Sequence, residues 1–134
     1  FRPFSTLTMD AADVERMRAA FQAGTSCSAE ARLWPAGVRW PMHLTVLEPG
    51  RKFQDTSTNA LYRFFEHTHI VEPAAGGARY LDVVRFEPAR SPPGFFARMT
   101  RRMYEHRHRV AARSLPTDPD VVGMSVLRVE TLAT

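Results

Sequence analysis

The chain has 134 residues and a formal net charge of +4, with 44% apolar and 24% charged residues. That is the length of one domain, able to bury a core without disulfides or metals, and no apolar run approaches the roughly 18 residues of a membrane span. Lys52 is the one lysine among 18 basic residues, so the high isoelectric point reads as the arginine bias of a GC-rich bacterial genome rather than as a nucleic-acid surface. Cys27 stands alone, which excludes an intrachain disulfide and a cysteine zinc site and makes a reducing cytoplasm the expected compartment. Phe1-Arg2-Pro3 lacks the charged and apolar regions of a signal peptide, so none is expected.

In chain order, residues 4–8 have strand-like composition. Asp10 then N-caps a short helix whose apolar face is Val14, Met17 and Phe21 and whose stop signal is Gly24. Residues 26–34 and 38–48 read as strands, with turns at Pro35-Ala36-Gly37 and Glu48-Pro49-Gly50, and residues 51–58 as a third. Residues 63–88 read as a hairpin turning at Gly76-Gly77, where glycine supplies positive φ. His67 and His69 lie in its first strand and share a face, because side chains alternate with period two. If the register sets Asp82 opposite or diagonal to His67, its carboxylate orients the imidazole; a one-residue slip sends it to the other face.

After Pro92-Pro93 the period changes to that of a helix of about 20 residues, closed before Pro116. Phe96, Met99, Met103, His106 and Val110 form its inward stripe, which places His106 inside and His108 on the charged face. A sheet curving around this helix is the expected partner. The tail, residues 121–134, reads as one more strand.

Four stretches resemble a known superfamily. Trp40 with GRKFQDTST (50–58) resembles a "W…pG..F.D" strand pair, FEHTHIV (65–71) a "W.H.H.F" strand, GGARYLDVVRF (76–86) a "GGT…D.V.Y" return strand, and MYEHRHR (103–109) the "F.YR" end of a helix. These are motifs of the START-like (SRPBCC) helix-grip superfamily of polyketide cyclase/dehydratase type, and the resemblance covers roughly residues 33–113. It implies an α+β helix-grip fold, a curved antiparallel sheet wrapped around a long C-terminal helix, as a single domain. The tail after the helix departs from that pattern; we expect it in the first-strand position of the sheet, or exchanged with a partner in a homodimer.

The resemblance also implies an apolar cavity for a small hydrophobic ligand. Its lining would include Trp34, Trp40, Phe53, Phe65, Phe95, Phe96, Met99, Met103 and Tyr104, most of which would serve as core. Cyclisation or dehydration needs a base to take a proton beside a carbonyl and a donor for the enolate oxygen. His67, His69 and Asp82 are the expected catalytic groups, with Arg63, Tyr80 and His106 among the groups that bind and orient; His43 and Glu105 are further polar candidates. No cofactor is expected. The His67/His69 pair with Glu72 resembles part of a cupin metal set, but Glu72 lies in the turn and no third histidine follows at a matching position. Two other classes stay open: a carrier or sensor of a hydrophobic molecule, and a nucleic-acid module using Arg98, Arg101, Arg102, Arg107, Arg109 and Arg113. Interspersed acids and the lack of a binding motif weigh against the second.

Overall fold

The computed structural model describes residues 7–9, 11–12, 14–15, 22–33, 36–74, 77–90, 92–114 and 124–132. Its strands are β1 (Leu7–Met9), β2 (Ser26–Leu33), β3 (Ala36–Glu48), β4 (Lys52–Ser57), β5 (Tyr62–Ala74), β6 (Gly77–Pro88) and β7 (Met124–Thr131), with helix α1 (Pro93–Ser114) between β6 and β7. They form one seven-stranded sheet whose spatial order is the sequence order. Each neighbour from β1 to β6 is antiparallel, whereas β7 pairs parallel to β6. Of the predicted first helix, Ala11, Ala12, Val14 and Glu15 are helical. Asp10, Met17, Phe21, Trp34 and Gly76 lie outside the described residues.

The turns follow from local chemistry. Gly24 and Gly50 have φ of 93° and 71°, values that side-chain-bearing residues avoid, and each ends a segment where the sequence placed a stop or turn. Asn59 builds the β4–β5 connection: its Oδ1 accepts from the backbone N–H groups of Leu61 (2.9 Å) and Tyr62 (3.2 Å), an Asx-type turn.

The core lies on one face of the sheet, beneath α1. Trp40, Tyr62, Phe65, Val84 and Phe86 are buried there together with Phe96 and Tyr104 of the helix, while Met42, Met99 and Met103 pack at the margin. The rings meet mostly edge to face, as at Trp40–Phe65 (5.0 Å, 85°) and Tyr62–Phe86 (5.4 Å, 75°), the arrangement that the ring quadrupoles favour. At the centre, the hydroxyls of Tyr62 and Thr100 are 2.8 Å apart and buried, so helix and sheet are in direct contact.

This architecture overturns the helix-grip expectation. The helix is a crossover between two parallel neighbours, it packs chiefly against β7 and β6 at one side of the sheet, and the described residues do not show a curved antiparallel sheet wrapped around a long terminal helix. The physical reason is the tail. Residues 124–131 return after the helix and hydrogen-bond to the edge of β6, and a strand that follows a crossover helix on one face runs parallel to the strand before it. The tail thus lies in the chain's own sheet.

The helix also differs in rotation. Its buried row is Phe96, Thr100, Tyr104 and, part-buried, His108, one step of four after another, whereas His106 is exposed. The predicted stripe stepped alternately by three and four, from Phe96 through Met99 and Met103 to His106, and passed over Thr100. What the sheet presents at that point is the Tyr62 hydroxyl, which a threonine satisfies and an aliphatic side chain does not.

Candidate functional site

The Asp82 cluster is built from β4, β5, β6 and α1. Strand β5 holds His67 and His69 two residues apart on the core face. In the β5–β6 register His69 faces Asp82 directly and His67 faces Val84, so Asp82 is diagonal to His67 on that same face. From the other side β4 sets Asp55 directly across from His67. Helix α1 then supplies His108.

Three imidazoles converge on one carboxylate. His67 Nε2 donates to Asp82 Oδ1 at 2.8 Å, His69 Nδ1 to the same oxygen at 2.9 Å, and His108 Nε2 to Oδ2 at 2.6 Å. The second ring nitrogen of His67 donates to Asp55 Oδ2 at 3.1 Å. An ionised carboxylate only accepts, so a histidine flanked by two of them carries both protons and is an imidazolium. The side chains of His67 and Asp82 are 4% and 0% exposed.

Burial by itself disfavours charge at both residues, and the pairing reverses it. For His67, burial lowers the pKa, but hydrogen bonds to Asp55 and Asp82, with their charges, hold it above the ordinary value. For Asp82, burial raises the pKa, and the bonds from His67 and His69, the charge of His67 and the bond from His108 hold it well below the usual carboxylate range. Among the described residues no lysine or arginine pairs with Asp82.

Aromatic rings border this polar group. His69 stacks on Phe53 (4.7 Å, 27°) and meets the Tyr80 ring edge-on at 4.1 Å; Tyr80 also touches His108 at 5.1 Å. His67 packs against Tyr104 at 5.0 Å. Burial, then the Asp82 charge, pushes Tyr80 up to about 12, so its hydroxyl keeps its proton across the neutral range. Along α1 the interface therefore changes character, from apolar at Phe96, Tyr62 and Phe86 to polar at His108, Asp82 and His69.

His67, His69 and Asp82, expected together, are together. Of the expected ligand-contacting groups, Phe53 and Tyr80 border the cluster, while Trp40, Phe65 and Phe96 are core and Met99 and Met103 pack against it. Arg63 is elsewhere. A register irregularity between Tyr62 and Phe64 breaks the alternation of β5, so that Tyr62 and Phe65 both point into the core and Arg63 points outward, within 3.4 Å of Glu87. His106 and Glu105 are on the exposed side of the helix, and Phe95 is 59% exposed. His43 lies away from the cluster on the exposed β2–β3 surface, where its Nδ1 is 2.7 Å from the Ser26 hydroxyl.

Asp55 and His108 were missed as site residues. Asp55 had a signal, since it lies two residues after Phe53 and so shares its face in a strand; His108 belongs to the step-of-four row through Phe96. As for metals, one donor atom from each of His67, His69 and Asp82 lies within 4.8 Å of the others, and His108 Nε2 reaches the same carboxylate.

Among the described residues no helix is long and apolar enough to cross a membrane. No curated protein and no solved structure matches the chain. Over residues 4–115 it matches a family described as Domain of unknown function (DUF8410), and it belongs to that family.

Proposed function

We propose that the protein binds a small, largely hydrophobic, polyketide-like molecule and catalyses its cyclisation or dehydration, with the Asp82 cluster as the reactive centre. One observation carries this reading: three imidazoles meet at a single buried carboxylate beside Tyr80. A carrier needs one polar group to orient its cargo, whereas a catalyst needs several meeting at one point.

The reaction class requires an acceptor for a proton on carbon and a donor for the oxygen that becomes an enolate. His67 is clamped between two carboxylates and nearly inaccessible, so its work is to hold Asp82 and not to touch substrate. His69 and His108, both against Tyr80, form the edge of the cluster that a substrate reaches. Tyr80, protonated at neutral pH, is the donor for the developing oxyanion. Phe53 supplies an aromatic wall beside His69.

The test is native mass spectrometry of wild-type and His69→Gln protein, each isolated from its own host. The expected result is that the variant retains an apolar carbonyl compound that the wild type converts, seen as two bound masses differing by one water for dehydration, or as isomers separable by chromatography for cyclisation. The same unaltered molecule on both proteins would overturn catalysis in favour of a carrier.

A further inference from the structure

We propose that Asp82, His67, His69 and His108 are the ligands of a divalent transition-metal ion, with Asp55 as the outer carboxylate that orients His67. The inference rests on the reading of this cluster as the reactive centre and deepens it by naming what holds the centre together.

The donor set is the first argument. Three imidazole nitrogens and one carboxylate make a borderline-soft set suited to zinc, iron, cobalt, nickel or copper and poorly suited to calcium or magnesium, which take oxygen ligands. The nitrogens that aim at Asp82 are Nε2 of His67, Nδ1 of His69 and Nε2 of His108, and they come from one strand and one helix onto a carboxylate of the adjacent strand. Donor atoms of His67, His69 and Asp82 already lie within 4.8 Å of one another. Ligands about 2.1 Å from a tetrahedral ion stand roughly 3.4 Å apart, so the 2.6–2.9 Å contacts with Asp82 need to open by about 0.5–0.8 Å, most at His108, which joins the other donors through the second carboxylate oxygen.

The outer contact is the second argument. Metal-bound histidines usually give their other N–H to a carboxylate or carbonyl, which sets the tautomer and raises the basicity of the ligating nitrogen. His67 does this through Nδ1 to Asp55.

Charge is the third. Asp55 and Asp82 bring two negative charges into a nearly closed region, and among the described residues their ion-pair partners are histidines alone. A dication in place of the protons shared with Asp82 balances both carboxylates while all three histidines stay neutral, which suits a region where an uncompensated charge is costly. With four protein ligands the ion would be closed at rest and would polarise a substrate carbonyl only by taking its oxygen as a fifth ligand.

The experiment uses the full chain, dialysed against a chelator and then titrated with Zn2+ and, separately, with Co2+, which reports coordination through its visible spectrum. The expected result is one ion per chain, with cobalt bands marking nitrogen and oxygen ligation. His108→Gln should abolish those bands while leaving the circular dichroism spectrum intact. Asp55→Asn should keep the one-to-one stoichiometry and weaken affinity about 10- to 100-fold. His106→Gln, on the exposed side of the same helix, should behave as wild type. Failure to take up either ion at micromolar concentration, or uptake that His108→Gln does not change, overturns the inference. The wild-type and His69→Gln comparison then decides the catalytic reading separately: a cluster that converts its cargo without an ion works by proton transfer alone.

Discussion

His69 stands directly across the β5–β6 ladder from Asp82, and the 2.9 Å contact between its Nδ1 and Oδ1 joins the two strands through their side chains as well as their backbones. Because His67 and His108 reach the same carboxylate, Asp82 ties two strands and the crossover helix together at one buried point. Replacing it with the isosteric asparagine removes the charge that three imidazoles are arranged to meet. Asp82→Asn should destabilise the fold by about 3 kcal/mol, read as a lower midpoint in urea with an unchanged slope. A loss under about 1 kcal/mol would mean that the cluster is not structurally coupled.

The Tyr62–Thr100 hydroxyl contact predicts a non-additive pair. Thr100→Val leaves the buried Tyr62 hydroxyl without its partner and should cost about 1–3 kcal/mol, whereas adding Tyr62→Phe removes the stranded group and should recover most of that loss. A double-mutant cycle in urea unfolding measures the coupling, and strict additivity would show that the two hydroxyls do not interact.

Tyr62 also sets an alkaline limit. Burial, opposed weakly by the Thr100 bond, raises its pKa to about 12, above the unfolded value near 10. A group whose folded pKa is raised lends stability that is complete below the unfolded pKa and is lost as pH climbs through the folded one. Stability should therefore fall between pH 10 and 12, with about 2 kcal/mol of that fall due to Tyr62. Tyr62→Phe should be flatter over this window in denaturant melts at pH 9, 10 and 11.

Phe95 and Phe96 are adjacent and should differ sharply. Phe96→Ala opens a cavity between helix and sheet and should cost about 3–5 kcal/mol, while Phe95→Ala, at an exposed position, should change stability by less than about 0.5 kcal/mol. Thermal melts of the two variants make the comparison.

Arg63 tests the corrected strand register. With its side chain outward against Glu87, Arg63→Ala should leave the bound molecule unchanged in native mass spectra and shift stability by at most about 0.5 kcal/mol. Loss of the molecule would restore Arg63 to the site.

Local patterns carried a good part of this protein. Alternation placed His67 and His69 on one face, glycines at positions 24 and 50 marked a stop and a turn, and the change of period after Pro92 marked the helix, because each depends on residues near one another in the chain. What the sequence could not determine were three choices made between elements. The β5–β6 register put Asp82 across from His69 and diagonal to His67, and one irregularity beside Tyr62 turned Arg63 away; strand pairing sets both, and alternation within a single strand does not report either. The rotation of the helix brought His108 rather than His106 to the carboxylate, since the row that packs is chosen by what the sheet presents, here a tyrosine hydroxyl and then an aspartate. The tail's parallel pairing with β6 made the helix a crossover and displaced the expected wrapped architecture. Periodicity describes one element at a time, and the site exists only where four of them meet.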